Sequence, residues 1–288
     1  MQRESMNNRV LALFHLYLNE KPDFIDKEMM NEMRDIGWNA EQRFSLLLAS
    51  AFQLDYENKA EDKEVLYEYL FHCIHLLDTA AYKKDSYYTG IRFPKKSFGK
   101  WSFTYEKVKP YEAFVFQDMK QDKKGRLLPQ IGFFEEEYIY PAVLENDRLW
   151  MSVTPNEIET MKQPVENAGG KVLTFGLGLG YFAYMASLKE NVSSVTVVER
   201  DQEVISLFQE YLLPQFERKD KINLVKADAY QFAAEEMEKG NYDYVFTDLW
   251  HDPSDGVALY LKMKTLEDHC PNGRFDYWIE DTLQYYLP

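Results

Sequence analysis

Three glycines at alternating positions are the residues whose type and spacing point most directly to chemistry. Residues 171–180 read Lys-Val-Leu-Thr-Phe-Gly-Leu-Gly-Leu-Gly, so an apolar run leads into Gly176, Gly178 and Gly180. Glycine tolerates backbone dihedrals that other residues avoid, and without a Cβ it lets a ligand approach the backbone closely. An amphipathic stretch over residues 181–188 follows, and a helix N-terminus offers free N–H groups to a polar or anionic group. Strand, glycine loop and helix in this order predict a site for a nucleotide-like ligand.

Carboxylates follow the next strands at positions that suit a nucleoside. Residues 195–198 form a β-rich run ending on Glu199, about 20 residues after the last glycine, where an acid accepts hydrogen bonds from both ribose hydroxyls. A third strand precedes Asp228, and a fourth, residues 242–247, leads to Asp248. In open α/β sheets ligands bind beyond the carboxyl ends of the strands, where all three acids fall. Two alternatives stay open: Asp228 as a helix N-cap and Glu199 as part of a solvated turn.

This order of motifs resembles class I S-adenosylmethionine-dependent methyltransferases and the related spermidine synthases, over residues 150–281. The resemblance implies an α/β fold with a Rossmann-like, doubly wound and mostly parallel sheet that binds S-adenosyl-L-methionine. Many family members carry an acid where this chain has Thr174, so one contact to the methionine end of the cofactor is missing. The implied cofactor contacts lie in the glycine loop and at the strand ends: Gly176, Leu177, Gly178, Gly180, Glu199, Asp228, Ala229, Asp248 and Trp250.

Residues 248–253, Asp-Leu-Trp-His-Asp-Pro, follow the fourth strand, where the resemblance locates the reacting centre. Spermidine synthases carry Asp-x-x-Asp-Pro there, and their first acid helps to deprotonate the attacking amine; this chain has one extra residue between Asp248 and Asp252. Catechol-type O-methyltransferases carry Asp-His-Trp-Lys-Asp, and this chain matches three of those five positions. Asp248 and His251 are therefore the catalytic candidates, because a histidine titrates near neutrality and suits general base work. Helix capping and loop packing are their alternative roles.

A metal site is not predicted, although two arrangements come close to one. Glu280 and Asp281 follow the fifth strand and could complete a magnesium site in the catechol-type comparison, because hard carboxylate oxygens suit that ion. Adjacent acids at a strand end are nevertheless common. His72 and His75 lie three residues apart on an expected helix, but structural zinc draws on a second ligand pair that the sequence does not offer.

The charge balance bears on partners and location. The chain has 33 Lys and Arg against 48 Asp and Glu, a net charge of −15, which disfavours nucleic acid and anionic membranes as partners. No apolar run approaches the ~20 residues of a membrane span. Residues 1–5 lack the basic start and apolar stretch of a secretory signal, and two cysteines do not make a disulfide framework. We expect a cytoplasmic protein with a small-molecule or protein acceptor.

Composition shifts divide the chain into three expected segments. Apolar stripes predict about four helices in the N-terminal helical domain, residues 1–90. Proline pairs punctuate short strands in a small β-rich segment, residues 91–153, whose last two strands form a hairpin around an Asn-Asp turn. Residues 154–288 alternate strand and helix and form the Rossmann-like domain. Because few residues remain after the fifth strand, we expect strands from residues 112–153 to cover its free edge.

Three functions remain open, in a definite order. The first is a methyltransferase that uses S-adenosyl-L-methionine, and the second is an aminopropyltransferase that acts on a polyamine, as in the spermidine synthases. The third is a binding protein that keeps the cofactor fold without turnover. The N-terminal helices would form a lid, a substrate wall or the interface of a homodimer, while Pro155 and Glu157 would begin a helix over the cofactor. Each of these functions requires a nucleoside site in which Glu199 faces the crevice and the space above Gly178 is open.

Overall fold

The computed structural model describes residues 2–287, which form two compact units. The first unit runs to Tyr82 and takes in Glu106–Ile139; the second comprises Lys83–Tyr105 and the chain from Tyr140 onward. This division differs from the three consecutive segments expected from sequence, because the β-rich segment is shared between the units. The middle of this segment, Glu106–Ile139, belongs to the first unit, because its strand Leu127–Phe133 pairs with Ile74–Leu76, far away in the chain.

The strands in the described part of the chain are, in order, β1 Ile74–Leu76, β2 Ser97–Phe98, β3 Trp101–Val108, β4 Phe114–Gln121, β5 Leu127–Phe133, β6 Tyr138–Glu145, β7 Arg148–Ser152, β8 Gly170–Phe175, β9 Val192–Glu199, β10 Ile222–Lys226, β11 Tyr244–Thr247 and β12 Arg274–Tyr277. The α-helices are α1 Gln2–Glu20, α2 Lys27–Glu32, α3 Ala40–Ala51, α4 Ala60–Glu64, α5 Phe71–Cys73, α6 Thr79–Lys83, α7 Ser86–Gly90, α8 Pro155–Asn167, α9 Tyr181–Leu188, α10 Gln202–Leu207, α11 Ala229–Glu235, α12 Met237–Gly240, α13 Pro253–Lys264 and α14 Glu280–Tyr285. Two π-helical stretches, Val65–Leu70 and Phe208–Leu212, continue α4 and α10.

The first unit packs helices against a small sheet of order β1-β5-β4. A capping box of Asn39 and Gln42 begins α3, which places Phe44 in the core, stacked on Phe133 with ring centroids 4.2 Å apart. The sequence analysis placed His72 and His75 on one helix, and this is wrong. The helix ends at Cys73 because Ile74–Leu76 pairs in parallel with β5, an option that local helical periodicity does not reveal.

The second unit contains the predicted Rossmann-like fold. Within residues 2–287 its parallel sheet has five strands in the order β10-β9-β8-β11-β12, and helices alternate with the strands along the chain. This is the doubly wound order, in which the direction of strand addition reverses between β8 and β11. The sheet interior consists of near-continuous apolar runs, such as the buried Val172–Phe175 and Tyr244–Thr247.

The free edge of this sheet was predicted incorrectly. Strands from residues 112–153 do not extend it, because in the described residues β4 to β7 belong to two other sheets. Strand β12 forms the edge next to β11 and is only four residues long, and the chain then turns into α14, which contacts α13. A short strand followed at once by a helix offers little edge for pairing.

An antiparallel sheet has the strand order β2-β3-β6-β7, and its strands β2 and β7 lie wholly within the second unit. The predicted hairpin is present: β6 pairs with β7, and Asn146 and Asp147 connect them with φ of +49° and +61°. Two consecutive left-handed residues are the signature of the tight turn that matches strand twist.

Cys73 and Cys270 are both buried free thiols. None of the helices in residues 2–287 combines the length and the apolar content needed to span a bilayer.

Candidate active site

The glycine loop lies at the point where the strand order reverses. Gly176, Gly178 and Gly180 have φ of +98°, +51° and +79°, a conformation that side chains rarely adopt. A Cβ on Gly176 would lie 2.0 Å from the backbone oxygen of Asp248, so this glycine lets the loop after β8 touch the end of β11. Gly180 does not line the crevice described below. It packs closely against Phe208 instead.

Glu199 is held against the glycine loop by backbone hydrogen bonds. Its Oε1 accepts from the N–H of Asp201 at 2.8 Å, and its Oε2 accepts from the N–H of Leu177 at 3.3 Å. Because one oxygen is tied to the loop itself, the carboxylate lies at the rim of the crevice beside the loop, where the predicted ribose contact requires it. Its role in binding stays a prediction.

Asp228 serves as the N-cap of α11 and also borders the crevice. Its Oδ1 accepts hydrogen bonds from the N–H groups of Tyr230 and Gln231, each at 3.0 Å. The capping interpretation is therefore confirmed. The exposed carboxylate nevertheless lies with Ala229 along the same wall as Glu199, so capping does not remove it from the site.

These residues surround a crevice of about 550 Å³ at the carboxyl ends of the parallel strands. Its volume falls within the 300–1,000 Å³ typical of small-molecule sites. The sequence-predicted residues that the structure brings together there are Gly176, Leu177, Gly178, Glu199, Asp228, Ala229, Asp248, Trp250 and His251. The crevice continues into a narrow chamber of about 20 Å³ beside the glycine loop, lined by Met151, Glu157, Thr174, Gly178 and Asp248 among others.

Two half-buried acids meet where the crevice joins this chamber. Asp248 follows β11, and Glu157 lies in the first turn of α8, a helix that Thr154 caps and Pro155 begins. Burial raises the pKa of Asp248 to about 7, partly opposed by nearby His251. Burial and the charge of Asp248 also hold the pKa of Glu157 well above its usual range. Near neutral pH such a pair exchanges protons readily, which is the property of a general base.

His251 and Trp250 occupy different surroundings. The side chain of His251 is 76% exposed at the crevice rim, and its Nδ1 lies 3.2 Å from the carboxylate of Asp255. Trp250 is buried; its ring stacks on Tyr277, and its Nε1 donates to the backbone oxygen of Trp278 at 3.2 Å. Asp248 is therefore the better placed of the two catalytic candidates, because His251 is largely in solvent.

The acids after the fifth strand face other partners. Glu280 accepts a hydrogen bond from the Tyr260 hydroxyl at 2.7 Å and lies 3.7 Å from the Lys264 ammonium. Within residues 2–287, no cluster of three or more His, Cys, Asp or Glu side chains has the arrangement of a metal site.

Other crevice residues did not stand out in the sequence. Met151, from the hairpin strand β7, covers the glycine loop: its Cε would lie 2.9 Å from a Cβ on Gly178. The space above Gly178 is therefore partly occupied, whereas the prediction required it to be open. Trp278 lines the same crevice directly after β12, and its position beyond a parallel strand was a usable signal. No local pattern marked Met151, since its placement depends on how the hairpin folds.

Residues 165–264 match the Spermine/spermidine synthase domain family. This stretch includes the glycine loop, Glu199, Asp228 and Asp248, but it covers less than half of the chain. The match supports an aminopropyltransferase-like activity better than the methyl transfer that ranked first on sequence. No curated protein matches the chain.

Among solved structures, the chain is similar to precorrin 8w decarboxylase from Methanobacterium thermoautotrophicum, with 19% identity and a TM-score of 0.33. It is also similar to spermidine synthase from Thermotoga maritima, with 18% identity and a TM-score of 0.33. These similarities cover 43% and 49% of this chain, and the chain spans 63% and 49% of the two structures.

Proposed function

We propose that this protein transfers an aminopropyl group from decarboxylated S-adenosylmethionine to an amine acceptor. The observation that carries the proposal is the narrow chamber at the glycine loop. Glu157 and Asp248 line it, and none of its lining residues, all within residues 2–287, is Lys, Arg or His. A chamber that holds two acids and no basic side chain favours a donor whose tail is cationic.

The two possible donors differ in that tail. The tail of S-adenosylmethionine carries a carboxylate as well as an ammonium group, whereas the decarboxylated donor keeps only the ammonium. A carboxylate beside Glu157 and Asp248 would add a third acid to a poorly solvated space, where clustered acids disfavour one another's ionisation, and this costs binding energy. Met151 narrows the same space, and Thr174 stands where many methyltransferases have the acid that contacts the methionine end.

The remaining crevice suits the nucleoside part of such a donor. Glu199 would accept hydrogen bonds from the ribose hydroxyls, and Asp228 lies on the wall beside it, where an adenine amine can reach it. Gly176 and Gly178, both left-handed, bring backbone rather than side chains to the donor. The net charge of −15 also favours a cationic acceptor over an anionic one.

The reaction is a displacement at carbon. The neutral nitrogen of the acceptor attacks the methylene carbon bonded to the sulfonium; a C–N bond forms, the C–S bond breaks, and its electron pair moves to sulfur. The leaving group is a neutral thioether, and the proton released from nitrogen passes to the Asp248 carboxylate. The protein aligns the two substrates and supplies the base, which are the contributions that such a reaction needs.

Isothermal calorimetry with the two donors tests the proposal. We expect decarboxylated S-adenosylmethionine to bind at least about tenfold more tightly, a difference of about 1.4 kcal/mol. Incubation with butane-1,4-diamine should yield methylthioadenosine and the extended amine by mass spectrometry. The variant Glu157→Gln should narrow the difference between donors, because glutamine keeps the shape but cannot ionise beside an ammonium group. Tighter binding of S-adenosylmethionine with a methylated product, or binding of neither donor, would exclude the proposal.

A further inference from the structure

Two hydrogen bonds join the start of α7 to the glycine loop and the start of α9. The hydroxyl of Tyr87 donates to the backbone oxygen of Leu179 at 2.5 Å. In the opposite direction, the hydroxyl of Tyr181 donates to Oδ2 of Asp85 at 2.9 Å. Both segments belong to the second unit, although more than 90 residues separate them in the chain. Each segment thus gives the other one donor and one acceptor, and we call this pair of bonds the brace.

The same carboxylate that receives Tyr181 also fixes the helix that carries Tyr87. Asp85 is the N-cap of α7, and its Oδ1 accepts from the backbone N–H of Tyr87 at 2.9 Å and of Tyr88 at 3.1 Å. Its other oxygen, Oδ2, makes the bond of the brace. Asp85 therefore orients both halves of the brace, because it holds the backbone of Tyr87 and the hydroxyl of Tyr181 at once.

Tyr87 makes its half of the brace in a space without solvent. Its side chain is fully buried, and its ring lies 5.4 Å from that of Tyr181 and 5.5 Å from that of Tyr184. Helix α7 approaches α9 so closely that a Cβ on Gly90 would lie 2.6 Å from the Tyr184 hydroxyl oxygen. Burial holds the pKa of Tyr87 well above its ordinary value, so the hydroxyl keeps its proton and donates. Since Leu179 is buried too, water does not readily replace this donor.

The loop that the brace holds is flexible by composition. Leu179 stands between Gly178 and Gly180, which both have left-handed backbones. Glycine populates positive and negative φ about equally, so these two positions do not by themselves keep the loop in one conformation. Leu179 and Tyr181 both line the narrow chamber beside the loop. Fixing the oxygen of Leu179 therefore fixes one wall of that chamber.

We propose that Asp85 and Tyr87 are positioning residues that keep the glycine loop in the conformation that binds the donor. Neither residue lines the chamber or the crevice, so both act through Leu179 and Tyr181. A loop held in its binding conformation gives tighter binding, because only the competent fraction of molecules takes up the ligand. The identity of the donor comes from the proposed aminopropyl transfer, and the inference rests on it to that extent.

The variant Tyr87→Phe tests the brace, because it removes one hydroxyl and keeps the ring. Calorimetry should show the Kd of decarboxylated S-adenosylmethionine raised about three- to tenfold, since the loop then spends part of its time outside the binding conformation. With the donor saturating, kcat with butane-1,4-diamine should keep its wild-type value, because the lost interaction acts on binding alone. Tyr181→Phe, which removes the other bond, should raise the Kd in the same direction.

Hydrogen exchange measured by mass spectrometry follows the loop without any ligand. Peptides covering residues 176–182 should exchange at least about tenfold faster in Tyr87→Phe, because the opened loop that binds donor poorly is also the form that exchanges. Tyr244→Phe is the matched control and should change neither reading. Tyr244 is also buried and its hydroxyl donates to Asp276 at 2.7 Å, but it begins β11, at the end away from Asp248, and lines neither chamber nor crevice.

The outcomes separate this inference from the proposed function. Unchanged donor affinity, unchanged loop exchange or a fall in kcat in Tyr87→Phe would overturn the brace, and so would equal changes in Tyr244→Phe. If S-adenosylmethionine binds in place of the decarboxylated donor, and Tyr87→Phe weakens it about three- to tenfold, the aminopropyl transfer is excluded and the brace stands. Binding of neither donor to the wild type would overturn both.

Discussion

In the first unit Asp62 and Asp122 each face an arginine, whereas in the second unit Glu157 and Asp248 face each other across a crevice. Arg9 holds the pKa of Asp62 below its usual range. Burial would raise the pKa of Asp122, but hydrogen bonds from the backbone and guanidinium of Arg126 outweigh it and lower the value to about 2. Within residues 2–287 no arginine pairs with Asp248 in this way, and burial raises its pKa to about 7.

The difference separates two uses of a poorly solvated acid. A carboxylate that is paired and hydrogen-bonded stays ionised at neutral pH, so it contributes to the stability of the fold. A carboxylate that lacks such a partner stays close to its titration point, so it can accept and release a proton during turnover. Asp62 and Asp122 in the first unit follow the first pattern, and Asp248 in the second unit follows the second.

The largest expected effect is on turnover. Asp248→Asn should lower kcat by about 10²–10⁴-fold, because the amide cannot accept a proton, while the donor still binds, more weakly because one acid beside its ammonium group is lost. Steady-state kinetics with donor binding measured in parallel checks this. Asp252→Asn is the control, since Asp252 is the N-cap of α13 and asparagine caps equally well. Full activity of Asp248→Asn would break the distinction between the two kinds of acid.

An intermediate effect is expected on stability in the first unit. Arg9→Met leaves the 6% exposed Asp62 carboxylate without its charged partner and should lower the free energy of unfolding by about 2–3 kcal/mol. Lys107→Met, which removes an exposed pair with Glu137, should cost less than about 1 kcal/mol. Urea unfolding monitored by circular dichroism measures both. Equal losses in the two variants would show that Asp62 does not depend on its arginine.

The smallest expected effect is that the stability contributions of Asp248 and Asp122 depend on pH in opposite directions. Because the folded pKa of Asp248 is raised, its contribution to stability falls as pH rises from about 4, the unfolded value, to about 7. The lowered pKa of Asp122 has the reverse sign: its contribution is complete above about 4 and is lost as pH falls toward about 2.

Melting curves of variants and wild type across pH resolve these signs. Asp248→Asn should gain about 2–4 °C in Tm relative to wild type between pH 5 and pH 8, the shift that about 1 kcal/mol produces in a chain of this size. Asp122→Asn should lower the Tm above pH 4 and approach wild type below it. A pH-independent difference for Asp248→Asn would mean that the carboxyl is ionised in the fold over the whole range.

Much of the second unit could be predicted because its signals are local. The alternation of apolar runs and helical stripes after Gly170 gave the strands and helices, and the glycines with Glu199 and Asp248 gave the crevice, since parallel strands end at one edge of the sheet. In the β-rich segment the hairpin was predicted, but the pairing of strands far apart in the chain was not. Strand pairing such as β1 with β5 joins residues far apart in the chain, and no local pattern specifies the partner.

The sequence by itself determined which residue types stand at the ends of the parallel strands, because hydrophobic periodicity and glycine spacing act over a few residues. Tertiary structure alone decided that Glu157 lies beside Asp248, that Met151 covers Gly178 and that Trp278 is clamped by Thr160. Each of these contacts brings together separate elements, so burial, charge coupling and the raised pKa of Asp248 exist only once the chain has packed.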